Sequence, residues 1–138
     1  MIYFDTDVWI NSFVTQNKTK HEESNRLIGQ ASKEQNCVIS TLIIQETLFV
    51  LGRLKMPHAE IAVVLKDLID LVPINYGVNE IERASIFVNR IGFRHINDCL
   101  HIAIAETCCS EIITYNKKDF LIRKIIYKVV GEIKNQNS

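Results

Sequence analysis

The sequence predicts an α/β fold, a three-layer sandwich in which a short, mainly parallel sheet of four or five strands is flanked by helices. Short apolar runs alternate with longer segments whose apolar residues recur at helical spacing. Strands separated by helices pair in parallel, because each helix returns the chain to the same end of the sheet. The 138 residues are 47% hydrophobic and 23% charged, which suits one domain with its own core, and we expect a single domain over residues 1–138.

Four short apolar runs predict buried strands. Ile2–Phe4 is the first, and residues 37–40, 71–74 and 112–114 follow in chain order. In the tail, residues 127–130 suit a fifth strand. Binding sites of parallel sheets lie beyond the carboxyl ends of the strands, so the residues that follow these runs are the ones to examine for function.

Helices are predicted between the strands. Asp7, Thr41 and Asn97 are suited to cap three of them, since a short polar side chain can accept a hydrogen bond from the first helical turn. Pro57 suits the first turn of a helix, and Gly92 suits the end of one. The predicted helices start at Val8 and cover residues 21–34, 42–55, 57–70, 80–90 and 97–109, with a further helical pattern at 121–126.

Charge is balanced over the whole chain, with 16 basic and 16 acidic residues, but it is unevenly distributed. From Lys117 to the end there are six basic and two acidic residues, which leaves residues 1–116 with a net charge of −4. This asymmetry suits an acidic metal pocket beside a basic rim that attracts phosphate, and it equally suits a solvated terminal face. No apolar run approaches the roughly 20 residues of a membrane span, so no membrane partner is expected.

The cysteines predict a reducing environment. Cys37, Cys99, Cys108 and Cys109 form no CxxC pair and lack zinc-ligand spacing, so we expect buried, reduced thiols. A domain of this size does not need disulfides to fold. Because the first residues carry no basic segment typical of a signal peptide, we expect a cytoplasmic protein.

Two carboxylates stand at positions where chemistry is expected. Asp5 directly follows the first strand, although a turn or cap residue would also be placed there. Glu46 lies in a predicted helix, and its neighbours three and four positions away are all apolar. Burying such a carboxylate is costly unless a metal ion or an arginine pairs with it; alternatively, the helix is rotated so that Glu46 reaches solvent.

A third carboxylate, Asp98, lies in the first turn of a predicted helix, where the helix dipole favours a negative charge in any case. His101 shares its face, and we expect a packed, hydrogen-bonded histidine rather than a phosphate or ligand contact. After the strand at 112–114, a polar turn adds the amide of Asn116 and the carboxylate of Asp119. Oxygen ligands suit Mg²⁺ or Mn²⁺ better than zinc, and such a site suggests phosphodiester chemistry.

These motifs resemble the PIN domains, and most closely the small VapC-type toxins of toxin–antitoxin pairs. Asp5-Thr6-Asp7 resembles the family's opening Asp-Thr/Ser-Asn/Ser, with Asp7 adding a charge where Asn or Ser is usual. The segment from Asp98 to Ala103 resembles its Asp-Ala-Leu-His-Ile-Ala, and the turn from Thr114 to Phe120 resembles its Thr-x-Asp/Asn-x-Lys/Arg-Asp/Glu-Phe. The apolar run at 121–126 departs from the loop expected there.

The resemblance implies a role for each site residue. Asp5, Glu46 and Asp98 are expected to be catalytic and to bind the metal. The amide Asn116 takes a fourth metal-ligand position, and Asp119 supplies a further catalytic negative charge. The residues expected to contact substrate are Thr6, Thr114, Lys117 and Lys118.

The implied function is a Mg²⁺- or Mn²⁺-dependent endoribonuclease that acts on RNA as the toxin of a type II toxin–antitoxin pair. An antitoxin protein and a second copy of the chain are its expected protein partners. Two alternatives stay within the family: an RNA-processing nuclease that is not a toxin, and a catalytically silent scaffold. A haloacid-dehalogenase-type phosphatase is a third alternative, since it starts with Asp-x-Asp, but Val8 and Trp9 stand where that family expects Gly-Thr.

Overall fold

Residues 1–115 of the chain are described here in a computed structural model. In this part of the chain a sheet of three parallel strands runs through the molecule, with β1 (Ile2–Phe4) in the middle. It is flanked by β2 (Cys37–Val38) and β3 (Glu111–Ile113), and Ile2 lies opposite the first residue of each neighbour. The predicted α/β class and parallel pairing are therefore confirmed, with three strands in the described residues rather than four or five.

The segment predicted as a strand at 71–74 is mainly a turn. Val72 has φ of 55°, which a strand cannot accommodate, and Pro73 has no N–H to donate to a ladder. Only Ile74 reaches the sheet, through a single parallel bridge to Ser40. An apolar run at the end of a helix thus resembled a buried strand. The predicted strand at 127–130 and helical segment at 121–126 lie outside the described residues.

Six helices lie within residues 1–115, one for each predicted helical segment there, with boundaries that move by up to a few residues. A 3₁₀ turn, Phe93–His95, leads directly into the last helix, so Asn97 is inside that helix instead of capping it. Gly92 has φ of 97°, a conformation that favours glycine, at the predicted end of the preceding helix. The helices are α1 (Thr6–Phe13), α2 (Lys18–Lys33), α3 (Thr41–Arg53), α4 (His58–Asp70), α5 (Val78–Val88) and α6 (Ile96–Ala105).

Two helices begin earlier than their predicted caps because they follow a strand without a loop. Asp5, rather than Asp7, caps α1, and its carboxylate accepts a hydrogen bond of 2.8 Å from the N–H of Thr6. Ser40, rather than Thr41, caps α3. In both cases the residue that leaves the sheet in an extended conformation is the one suited to cap the helix. The result is that Asp5 and Ser40 stand at the carboxyl edge of the sheet.

The core is built on β1 and α6. Tyr3 and Phe4 are fully buried, and residues 99–105 of α6 are buried without interruption. Burying one large apolar side chain contributes about 1.5–3 kcal/mol, so these two segments anchor the fold. None of the helices within residues 1–115 is long and apolar enough to cross a membrane.

The four cysteines are all thiols, as expected, but not all are buried. Cys99 lies in the core, Cys37 and Cys109 are half-buried, and Cys108 is exposed. Cys108 lies in the turn that follows α6, where the helical pattern of the sequence suggested that the helix would continue.

Candidate active site

Asp5 is held at the edge of the sheet through both of its carboxylate oxygens. Its Oδ1 accepts from the N–H of Thr6, and its Oδ2 accepts from the Thr114 hydroxyl at 2.9 Å. The backbone N–H of Asp5 also donates to the carbonyl of Ile113 at 2.9 Å, which ties the end of β1 to the end of β3. Asp5 is therefore a fixed carboxylate at the carboxyl ends of two strands.

Glu46 reaches the same place from α3. Its Oε1 accepts from the Thr6 hydroxyl at 3.2 Å and from Nε2 of His101 in a short hydrogen bond. The side chain is 28% exposed, and its helical neighbour Phe49 is 64% exposed, so Glu46 lies at the border of the apolar face. Glu46 thus reaches solvent in part, as the second alternative predicts, and its partner among the described residues is a histidine rather than an arginine.

His101 is the packed, hydrogen-bonded histidine that the sequence predicts. Its side chain is almost fully buried, and Nδ1 lies 2.7 Å from the hydroxyl of Tyr3. On the other side of the ring, Nε2 contacts Glu46 and lies 3.8 Å from Oδ1 of Asp5. Burial lowers the pKa of His101, but the hydrogen bond to Glu46 and the charges of Asp5, Glu46 and Asp98 raise it more, so the pKa stands above its ordinary value.

Asp98 approaches from the first turn of α6, as predicted. Its Oδ2 lies 3.6 Å from Nδ1 of His95, and its charge acts on the ring of His101 one turn further along. Three carboxylates from three different elements, Asp5, Glu46 and Asp98, therefore act on one buried imidazole. The structure places Asp5 and Glu46 beside the ring of His101, and Asp98 acts on the same ring through its charge.

Asp7 lies on the opposite side of Asp5 from Glu46. Its Oδ2 accepts from the N–H of Tyr115 at 3.0 Å and from the Thr114 hydroxyl at 3.3 Å. Its Oδ1 is buried and has no hydrogen-bond partner among the residues described. Burial above all, and then the charge of Asp5, raises the pKa of Asp7 to about 6. Asp7 is thus a fourth carboxylate of the site.

A comparison of the sequence with known protein families identifies the family of this chain. A family model described as the PIN domain matches residues 2–124. The chain belongs to the PIN-domain family. No curated protein matches the chain. PIN domains are generally nucleases and typically use divalent metal ions, so a carboxylate cluster at a sheet edge is the expected place for their chemistry.

The oxygen donors of this PIN domain fit a hard divalent cation. Within residues 1–115, no group of three or more His, Cys, Asp or Glu side chains is positioned to hold a metal ion by itself. Mg²⁺ does not need one, because it is usually bound through one or two carboxylates and keeps several waters for phosphate oxygens to replace. Asp5, Glu46 and Asp98 would supply such carboxylates.

The remaining predicted site residues divide into two groups. Thr6 and Thr114 were expected to contact substrate, and in the structure their hydroxyls are bonded to carboxylates: Thr6 to Glu46, and Thr114 to Asp5 and Asp7. The other four, Asn116, Lys117, Lys118 and Asp119, lie outside the described residues.

One residue of the site, Tyr3, was missed at the level of sequence, because it lies inside an apolar strand. Ser40 was marked only by its place at a predicted strand end, and no role was assigned to it. The hydroxyl oxygens of Tyr3 and Ser40 are 2.7 Å apart, and the Tyr3 hydroxyl also lies 2.7 Å from Nδ1 of His101. The one available signal was a hydroxyl on an inward-facing strand position, which needs a buried partner.

Proposed function

We propose that this PIN domain is a metal-dependent endoribonuclease that hydrolyses RNA phosphodiester bonds, with Asp5, Glu46 and Asp98 holding Mg²⁺ or Mn²⁺. The observation that carries the proposal is the convergence of these three carboxylates on one imidazole at the carboxyl edge of a parallel sheet. That edge is where α/β sheets bind their ligands.

The charges of the site support cation binding. Among the described residues, the ion pairs of Asp5 and Glu46 both end on His101, and no lysine or arginine joins them. Asp5 and Glu46 share the single imidazole of His101, which cannot balance both charges, so a bound cation would relieve their repulsion. When bound, a divalent ion supplies a more acidic water and offsets the charge that develops on the phosphate.

The chain's own residues have positioning roles in this proposal. Hydrogen bonds from Thr6 and Thr114 hold the carboxylates of Glu46 and Asp5 in place. The hydrogen bond from the N–H of Asp5 to the carbonyl of Ile113 holds the two strand ends together. In the polar segment that follows Tyr115 in the sequence, Asn116 serves as a further ligand and Asp119 as a further negative charge. Lys117 and Lys118 contact the phosphates of RNA.

Metal-dependent cleavage is tested with the purified protein and structured RNAs in Mg²⁺ or Mn²⁺, with and without EDTA. We expect cleavage that EDTA stops and that Asp98→Asn loses. Asp67→Asn is the matched control, since Asp67 is an exposed residue of α4 and should leave the rate unchanged. Cleavage that persists in EDTA, or in Asp98→Asn, contradicts the proposal.

We further propose that the nuclease is the cytoplasmic toxin of a type II pair, inhibited by an antitoxin and able to form homodimers. The support is the resemblance of the Asp98 to Ala103 segment to VapC-type toxins. Induced expression in a bacterial host is expected to arrest growth for the wild type but not for Asp98→Asn, and the product of an adjacent upstream gene is expected to relieve the arrest. Equal growth at equal protein levels would favour an RNA-processing nuclease instead.

A further inference from the structure

Below the carboxylates, three buried side chains form a continuous hydrogen-bonded chain that ends on Glu46. Ser40 Oγ lies 2.7 Å from the Tyr3 hydroxyl, and that hydroxyl lies 2.7 Å from Nδ1 of His101. Nε2 on the far side of the ring contacts Glu46. Ser40 and Tyr3 are fully buried and His101 is 4% exposed, so water does not compete for these contacts. The residues are distant in sequence and meet only in the fold.

The helix cap allows the hydrogen bonds to run in one direction along the chain. Ser40 Oγ accepts from the backbone N–H of Ile43 at 3.3 Å and can donate its own proton to Tyr3. The Tyr3 hydroxyl then donates to Nδ1 of His101. A neutral imidazole that accepts at Nδ1 carries its hydrogen on Nε2, where it donates to Glu46. Every buried hydroxyl proton of the chain then has an acceptor.

The same contacts hold if the ring is doubly protonated. Nδ1 then donates to the oxygen of Tyr3, the Tyr3 hydroxyl turns to donate to Ser40 Oγ, and Nε2 still donates to Glu46. Burial raises the pKa of the Tyr3 hydroxyl well above its ordinary value, so Tyr3 keeps its proton at any working pH. In both forms of the ring, Tyr3 holds Nδ1 and leaves Nε2–H directed at Glu46.

The hydrogen bonds of Glu46 are confined to one of its two oxygens. Within residues 1–115, those from His101 and Thr6 both end on Oε1. A carboxylate held through one oxygen keeps a fixed orientation and retains the other oxygen, Oε2, for a cation. Partners of this kind, one step removed from a metal, are known to set its affinity.

We propose that Tyr3 is a positioning residue of this site, which acts through His101 to hold Oε1 of Glu46 and leave Oε2 for a divalent cation. The inference rests on the proposed function, since it assigns Tyr3 a part in the same metal site. Tyr3 touches neither metal nor substrate in this scheme. Its effect passes through the orientation of the imidazole ring.

The test compares Tyr3→Phe with Tyr115→Phe, which removes another hydrogen-bonded hydroxyl, one directed to α2. Binding of Mn²⁺ alone is measured by titration calorimetry, and the nitrogen shifts of the His101 ring are measured by NMR. We expect Tyr3→Phe to weaken Mn²⁺ about tenfold and to change the shift of Nδ1, while thermal unfolding stays cooperative. Tyr115→Phe should bind Mn²⁺ like the wild type. Equal affinity in wild type and Tyr3→Phe overturns the proposal.

A second pair of variants separates positioning from a general loss of packing. His101→Gln keeps an N–H donor for Glu46, and the double variant Tyr3→Phe/His101→Gln should bind Mn²⁺ no more weakly than His101→Gln alone, because Tyr3 acts through the ring. Additive losses in the double variant contradict this.

The two proposals fail in different ways. If the wild type binds Mn²⁺ and cleaves RNA while Tyr3→Phe matches it, only the role of Tyr3 is wrong. If the wild type binds no divalent cation, the metal-dependent function is wrong and the role of Tyr3 in metal binding is overturned with it.

Discussion

Asp5 has a carboxylate neighbour on each side, and the two are stabilised differently. Glu46 is hydrogen-bonded to an imidazole that can carry a positive charge, and the pKa of that imidazole is raised. Asp7 is held by a neutral hydroxyl and a backbone N–H, has one buried oxygen without a partner among the described residues, and has its own pKa raised. The two carboxylates thus differ in charge balance because only Glu46 faces a titratable base.

This difference indicates how the site is divided. The hydrogen bonds of Glu46 to Thr6 and His101 are in place before any ligand binds, so the orientation of this carboxylate is set in advance. The Asp7 side keeps an uncompensated charge that a cation, or a proton, can satisfy. The PIN resemblance has Asn or Ser where this chain has Asp7, so we expect the Asp7 charge to be dispensable for chemistry and costly for stability.

The largest expected effect comes from removing charge from the three converging carboxylates. Asp5→Asn, Glu46→Gln and Asp98→Asn each keep the shape of the side chain and remove one ligand charge. We expect each to lower the cleavage rate by at least about a hundredfold, with the fold retained because fewer like charges repel. Asp7→Asn should stay within a few-fold of the wild type in the same assay. Loss of activity in Asp7→Asn as large as in Asp5→Asn would make the two sides equivalent.

The next effect concerns the base on the Glu46 side. His101→Leu keeps the bulk of the ring but leaves the Tyr3 hydroxyl and Glu46 without their partner. Because an unsatisfied buried polar group is costly, we expect the free energy of unfolding to fall by about 2 kcal/mol. Urea unfolding at pH 7 measures it, and His101→Gln should lose less. Equal stability of His101→Leu and the wild type would show that the hydrogen-bonded chain is not stabilising.

A smaller effect, and one that depends on pH, is expected on the Asp7 side. The pKa of Asp7 rises from 3.8 to about 6 on folding, so the folded state holds the proton more tightly. The stability that this provides is fully present below pH 3.8 and is lost as the pH rises through about 6. Asp7→Asn removes the titration, and we expect it to be more stable than the wild type by about 1–3 kcal/mol at pH 7.5 in EDTA.

At pH 3.5 most of this advantage of Asp7→Asn should disappear, since Asp7 is then protonated in the folded state and mostly protonated in the unfolded state. Thermal unfolding at the two pH values measures the difference. Asp67→Asn, on the exposed face of α4, should show no such dependence on pH. If the difference in stability between Asp7→Asn and the wild type is the same at both pH values, the raised pKa of Asp7 is contradicted.

The smallest effect is expected from the basic tail, which would offset the negative charge of both sides. Neutralising Lys117, Lys118, Arg123 and Lys124 should weaken RNA binding and flatten its dependence on salt, because fewer counterions are released. Filter binding at several salt concentrations measures the slope. Neutralising Lys18 and Lys33 of α2 is the control and should leave the slope unchanged. An unchanged slope in the tail variant would assign these residues to a solvated surface.

Much of the fold was predictable because it depends on local patterns. Apolar spacing located each helix in residues 1–115, and strands separated by helices required parallel pairing. The strand predicted at 71–74 failed because apolar content alone does not distinguish a largely exposed turn from a buried strand, and Pro73 was the contrary signal. The caps Asp7 and Thr41 were misplaced because the absence of a loop between strand and helix is a tertiary feature.

The sequence alone predicted which carboxylates would form the candidate site, since Asp5 follows a strand, Glu46 interrupts an apolar helical face and Asp98 begins a helix. It did not determine what each of them touches. Tyr3 is 98 residues from His101, and Thr114 is 109 residues from Asp5. Hydrogen bonds over such separations depend on the register of three strands and the packing of α3 and α6 around them. Only the folded chain brings a hydroxyl from a strand, an imidazole and a carboxylate within hydrogen-bond distance, and their burial together makes these contacts strong.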